Sequence, residues 1–188
     1  MSIYTKSGDQ GKTTLLFGGE ISKSDIRCEA YGTIDQAVSV MGIAKSNTTD
    51  KEIKNIISQI QKDLFIVAAE LATDKANYNK LKKNYDIVTE QMVIKIEKYI
   101  DSLLEKFTLP NDFILPGTST ISATIDFSRT IIRTSERRVV EIKESGNLIN
   151  PQILIFLNRI SDLLFVLGRY HDRNQNFELA TKWKFEQT

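Results

Sequence analysis

The chain has 188 residues, enough for one domain with a sizeable core. Charged residues make up 26% and nearly cancel to a net charge of +1, so no bulk attraction to nucleic acid or to a membrane surface is expected. One cysteine, Cys28, and one histidine, His171, exclude an intrachain disulfide framework and argue against a zinc site. No apolar run approaches the roughly 18 residues of a membrane span. The first residues run straight into Ile3-Tyr4 without a charged-then-apolar leader, so the expected setting is cytoplasmic.

Glycine divides the chain. Gly8, Gly11, Gly18 and Gly19 fall in the first nineteen residues, and none stands between Ile43 and Pro116. Residues 1–25 therefore read as an irregular, glycine-hinged head, and the remainder as helices. Ser22, Ser24 and Asp25 offer cap oxygens for a helix over 26–46, with Tyr31, Ile34, Val38, Met41 and Ala44 on one stripe. Gly32 inside it is expected to allow a close backbone approach. After the turn at 47–50, a second helix runs over 51–73 through Ile53, Ile57, Ile60 and Leu64. Residues 74–86 are weakly periodic and read as a long loop. A third helix spans 87–107. A fourth follows the Pro116-Gly117 break and ends near Gly146, a natural C-terminal stop. Pro151 suits the first turn of a fifth, apolar over more than one face. The tail from Asn174, with Phe177, Trp183 and Phe185, reads as loosely packed. The expected fold is all-α, a five-helix up-and-down bundle in a single domain 1–188: head 1–25, bundle 26–173, tail 174–188. No strand of useful length is expected.

The most informative helix is the fourth. Ile121, Ile125, Ser128, Ile132, Ser135, Val139 and Ile142 form an apolar or small face. Arg129, Arg133 and Arg137 recur at every fourth position on another. Each such step turns a helix by only about 40°, so the guanidiniums form a ladder rising about 12 Å. A solvated face with an Arg133–Glu136 ion pair is the plain alternative. The exclusive use of arginine in a lysine-rich chain favours a phosphate-type anion instead, because the guanidinium fork suits paired oxygens.

The head reads Tyr4-Thr5-Lys6-Ser7-Gly8-Asp9-Gln10-Gly11-Lys12-Thr13-Thr14. Its Gly11-Lys12-Thr13 triplet is no Walker motif. The earlier glycine would have to stand at position 6, which is Lys6, and no buried strand precedes it. Its chemistry still suits phosphate: glycines free backbone N–H groups, threonines and Ser7 offer hydroxyls, and Lys6 and Lys12 add charge. Asp35 lies beside an apolar stripe and calls for a cationic partner if buried, with an arginine of the fourth helix the obvious choice. Asn158 and Asp162 lie four apart on the oily fifth helix, placed to bridge to the fourth or to reach a ligand. Phe113 stands in the loop before the fourth helix, where an aromatic can be core or wall a pocket. His171 reads as a surface residue near a helix C-terminus.

Taken together, Ile3 to Gly19 (IYTKSGDQGKTTLLFGG), Glu29 to Asp35 (EAYGTID), Phe113 to Gly117 (FILPG), Ser128 to Arg138 (SRTIIRTSERR) and Phe156 to Leu164 (FLNRISDLL) resemble the PduO-type ATP:cob(I)alamin adenosyltransferase family, in the family's order. The resemblance implies a homotrimer of five-helix bundles with active sites at the subunit interfaces. It implies transfer of the 5′-deoxyadenosyl group of ATP to cob(I)alamin, giving adenosylcobalamin and triphosphate, with Mg²⁺ accompanying ATP. By position, Thr5, Lys6, Ser7, Gly8, Thr13, Thr14 and Lys23 would wrap ATP, and Arg133, Glu136, Arg137 and Asn158 would meet it from the helical side. Asp35 and Arg129 match an intersubunit ion pair that supports catalysis, and Phe113 matches the aromatic that closes the lower face of the corrin. No residue is assigned as a protein metal ligand. A flavoprotein reductant and a cobalamin-dependent acceptor enzyme are the partners implied; nucleic acid and membrane are not. Three positions depart from the family pattern: Thr118 for a glycine, Asp126 for a histidine and Thr134 for an arginine. Two other readings remain, a helical ATP sensor without chemistry and a purely structural bundle.

Overall fold

The computed structural model describes Tyr4 and residues 6–180. Among them, six helices follow a two-stranded hairpin: β1 (Lys12–Thr14), β2 (Glu20–Ser22), α1 (Ile26–Asn47), α2 (Lys51–Leu71), α3 (Tyr78–Asn84), α4 (Glu90–Leu104), α5 (Thr120–Glu144) and α6 (Gln152–His171). The five long helices are those the periodicity predicts. Two short elements are not.

The head is not wholly irregular. β1 and β2 pair antiparallel, with Lys12 opposite Ser22 and Thr14 opposite Glu20. Gly18 and Gly19, both at positive φ, turn the chain between them, a conformation glycine adopts without steric cost. The second surprise is α3, a seven-residue helix inside the expected loop, seated by the fully buried Leu81.

Each long helix has a legible start. The Asp25 side chain accepts from the Arg27 N–H at the head of α1, and Asp50 accepts from the Glu52 and Ile53 N–H groups at the head of α2. Ser119 and Ser122 form a reciprocal capping box on α5. The helices bury one continuous core, including Ile34, Met41, Ile57, Ile60, Leu64, Ile96, Ile125, Ile132, Phe156 and Leu163. Within it α5 packs between α1 and α6. Ser135 Oγ donates to the Ala30 carbonyl at 3.0 Å. At Gly168 of α6 an added Cβ would lie 3.6 Å from the Ser122 carbonyl oxygen, so a small residue there brings the two backbones close. Gly32 proves different from expectation: a Cβ there would meet nothing within 4 Å.

A buried polar knot ties α2 to the chain around α3. Glu70, only 4% exposed, accepts from the Val88 N–H, from Tyr78 Oη at 2.7 Å and from Asn150 Nδ2 at 3.0 Å. Burial and the Glu70 carboxylate beside it raise the Tyr78 phenol far above its ordinary range.

Candidate functional site

The ladder stands on the outer face of α5, opposite its buried serines and isoleucines. Arg129, Arg133 and Arg137 line an open cavity of about 430 Å³ with Phe127, Thr130, Ile131 and Thr134. The Arg133 guanidinium is exposed and has no hydrogen-bond or ion-pair partner among the described residues; the ion pair with Glu136 is not formed. Arg137 donates to Thr134 Oγ1 at 2.8 Å, and Arg129 Nε lies 3.6 Å from Asp126 Oδ1. Glu136 instead accepts from Asn158 Nδ2 of α6 at 3.2 Å. Asn158 Oδ1 in turn accepts from Arg159, whose Nε donates to Glu97 of α4 at 2.8 Å. That chain of bonds fixes Glu136 from two neighbouring helices, and it is the bridge from the fifth predicted helix to the fourth that Asn158 foreshadows. Asp162, the other polar residue of that pair, stays exposed, 3.8 Å from Arg159 Nη1.

The head forms a second cavity of about 370 Å³, lined by Ser7, Gly8, Lys12, Thr13, Thr14, Glu20 and Lys23. Lys23 reaches across it: a Cβ on Gly8 would come 2.9 Å from Lys23 Nζ. Glycine at position 8 therefore leaves room for that ammonium. The Lys23 N–H donates to the Gly11 carbonyl at 2.8 Å, which ties the two ends of the hairpin. Lys12 bonds Glu20 at 2.5 Å, and that bond raises its ammonium's pKa. Lys6 holds a positive φ of 60°, an uncommon conformation for a residue with a Cβ. Thr5 lies outside the described residues.

The two cavities share no residue. The head meets the body where the Leu16 N–H donates to the Ala72 carbonyl at the end of α2, 2.9 Å, and where the Phe17 ring packs edge-on against Tyr85. Asp35 is exposed and makes no ion pair among the described residues; its proposed bond to Arg129 is not formed within one chain. Phe113 precedes α5 and is 86% exposed.

A family model described as cobalamin adenosyltransferase matches residues 3–171. The chain belongs to that family. It is 34% identical over 170 residues to a corrinoid adenosyltransferase of Citrobacter freundii, covering 90% of this chain and 94% of the relative. It is 35% identical over 175 residues to one of Bacillus subtilis, covering 90% and 86%. Against the PduO enzyme of Salmonella typhimurium the match, at 33%, spans 92% of this chain but about half (50%) of that longer protein. Among solved structures, a variant PduO-type ATP:corrinoid adenosyltransferase from Lactobacillus reuteri, complexed with cobalamin and ATP, superposes with a TM-score of 0.88 at 31% identity. It covers 96% of this chain and 100% of that one. An arginine-to-lysine variant of the same protein, complexed with ATP, gives 0.83 at 31% identity, covering 94% of this chain and 99% of that one.

Two of the three departures from the family pattern have local reasons. Asp126 is 3% exposed and pairs with the equally buried Arg169 of α6, so position 126 serves the α5–α6 contact. Thr134 accepts from Arg137 and holds that guanidinium against the helix. Nothing in the structure explains Thr118. His171 is not the surface residue its position suggests. Its Nδ1 lies 2.8 Å from Asp172 Oδ1 and 3.2 Å from Ser119 Oγ, inside the polar cluster that starts α5. Sequence reasoning missed Arg169, an arginine flanked by the apolar run Leu163–Leu167 of α6 and buried against Asp126.

Proposed function

We propose that this protein transfers the 5′-deoxyadenosyl group of ATP to cob(I)alamin. One observation carries the assembly this requires: two open cavities rich in anion donors, one on the head and one on α5, share no residue within a chain. Each is half of a nucleotide site, and a homotrimer that sets the head of one chain against α5 of the next would join them. Exposed Asp35 and partly exposed Arg129 would then pair across that interface.

In the step itself the Co(I) lone pair attacks C5′ of ATP. The Co–C5′ bond forms and the C5′–O bond breaks, with its electron pair leaving on triphosphate and cobalt becoming formally Co(III). Cobalt is the nucleophile, so the chain needs no activated serine, cysteine or histidine. Its residues hold and neutralise the leaving group. Arg133 and Arg137 would bind triphosphate oxygens, with Lys6, Lys23, Ser7, Thr5, Thr13, Thr14 and the Gly8 backbone meeting them from the head. Glu136 and Asn158 would orient the nucleoside. Alignment of C5′ with cobalt supplies the remainder of the rate. Phe113 would close the lower face of the corrin and exclude a lower axial ligand, which makes Co(II) easier to reduce.

No group of three or more histidine, cysteine or carboxylate side chains gathers among the described residues. A magnesium ion carried on nucleotide phosphates needs only one or two carboxylates, and Glu136, on the same helix as the ladder, could supply one. When bound, that ion would offset triphosphate charge. A cytoplasmic location, supply of electrons by a flavoprotein and delivery to a cobalamin-dependent enzyme complete the reading.

Anaerobic incubation with hydroxocobalamin, a reductant, ATP and Mg²⁺ tests it. The expected products are triphosphate and a light-sensitive Co–C bond. Nucleotide binding without either product would leave an ATP sensor, and no binding at all a structural bundle.

A further inference from the structure

Phe113 is too exposed for side-chain packing to fix it, yet its backbone is held on both sides by one distant stretch of chain. The Leu115 N–H donates to the Glu178 carbonyl at 2.8 Å, and the Ala180 N–H donates to the Phe113 carbonyl at 2.8 Å. Ile114 and Leu179 thereby form an antiparallel bridge. At the other end of the segment, Ser119 Oγ donates to Oδ1 of the fully buried Asp172 at 2.7 Å. The loop from 113 to 119 thus hangs between α5 and residues 171–180. Between its anchors, Pro116 offers no N–H and Gly117 sits at φ +123°, so local structure alone does not set its path.

We infer that residues 176–180 are a positioning segment for the corrin half of the site: by adding a short strand to the loop, they fix where Phe113 stands. The stretch is therefore part of the working site and not the slack terminus its composition suggests. This rests on the assignment of Phe113 to the lower face of the corrin. The segment lines neither the ladder's cavity nor the head's, so its loss should act on cobalamin and spare ATP.

Two variants test it, a chain ending at Gln175 and the full chain with Ala180→Pro, which removes the N–H that bonds Phe113. Amide hydrogen exchange at Leu115, whose N–H bonds Glu178, reports the pairing itself. The KM for cobalamin and the spectrum of four-coordinate Co(II) with ATP report its consequence. In both variants Leu115 should exchange faster, the KM for cobalamin should rise about tenfold or more as a misplaced positioning group does, and the four-coordinate signal should fall toward that of Phe113→Ala. The KM for ATP and the melting temperature should stay at wild type. Unchanged exchange, or faster exchange with wild-type cobalamin behaviour, overturns the inference. The Phe113→Ala control separates the two failures. If it shifts the spectrum and the tail variants do not, only the tail's role is wrong. If it leaves the spectrum unchanged, the assignment of Phe113 fails and takes the inference with it.

Discussion

The arginines of α5 stand on a 25-residue helix whose inner face is buried along its length, whereas the lysines and hydroxyls of the head stand on a hairpin of three-residue strands. Ile125, Ile132 and Val139 are fully buried, and Ser128 and Ser135 let α5 lie close to its neighbours. The head buries one large apolar side chain among its described residues, Leu15, and meets the body through the Leu16 N–H bond to Ala72 and the Phe17 ring against Tyr85 and Lys80. One half of the proposed site is set by the core before ligand arrives. The other stands on a short hairpin that draws little of its order from the core.

The largest expected effect comes from loosening the rigid half. Asp126 and Arg169 are buried and paired, and removing one partner leaves an uncompensated charge, a loss of about 3–5 kcal/mol. Asp126→Ala should therefore lower the denaturation midpoint sharply. A midpoint within experimental error of wild type would mean that α5 is not anchored through this pair. Next in size is Arg133→Ala. Its guanidinium has no partner among the described residues, so stability should hold while kcat/KM for ATP falls by about 10²–10³, the usual loss for one donor to developing charge. Triphosphate release measures it. A large fall in melting temperature, or near-normal turnover, would remove Arg133 from its role.

A smaller effect is expected at Asp25, where the head joins the bundle. Burial pushes its carboxyl up, but hydrogen bonds and charge from Arg27 outweigh that and hold it below the usual carboxylate range. A depressed folded-state pKa adds stability that is present above the unfolded value of about 3.9 and lost as pH falls through the lower folded value. Asp25→Ala should cost about 1 kcal/mol at neutral pH, as caps do. It should cost little at a pH below both values. Equal losses at both pH values would show that Asp25 acts through something other than its charge.

The contrast between the halves also decides what could be read in advance. A helix buried on one face writes its period into many residues, so α1, α2, α4, α5 and α6 were legible from the spacing of apolar and small residues, and the cap at Asp25 and the ladder from residue type and position. A three-residue strand is too short to carry a period. β1 and β2 were therefore invisible, and so was the pairing of Leu179 with Ile114, which uses backbone groups that every residue has. α3 escaped because a single buried residue, Leu81, seats it. His171 was misplaced because its partners, Ser119 and Asp172, meet only after α5 and α6 pack. The candidate site was legible as residue types, while the separation of its two cavities needed the fold.

The smallest expected effect bears most directly on the head. Gly8 is not held at a positive φ, so alanine there brings no backbone strain, and its Cβ would press on Lys23 Nζ and Cε at 2.9 and 3.2 Å. Those atoms end a flexible side chain that can swing away, so stability should change by no more than about 0.5 kcal/mol. The ammonium would leave the cavity as it swings, and the KM for ATP should rise while the KM for cobalamin stays put. A double-mutant cycle tests the route. If Gly8→Ala acts only by displacing Lys23, adding it to Lys23→Ala should do no further harm. Additive losses would mean that position 8 matters through its own backbone, as a glycine loop facing phosphate would require.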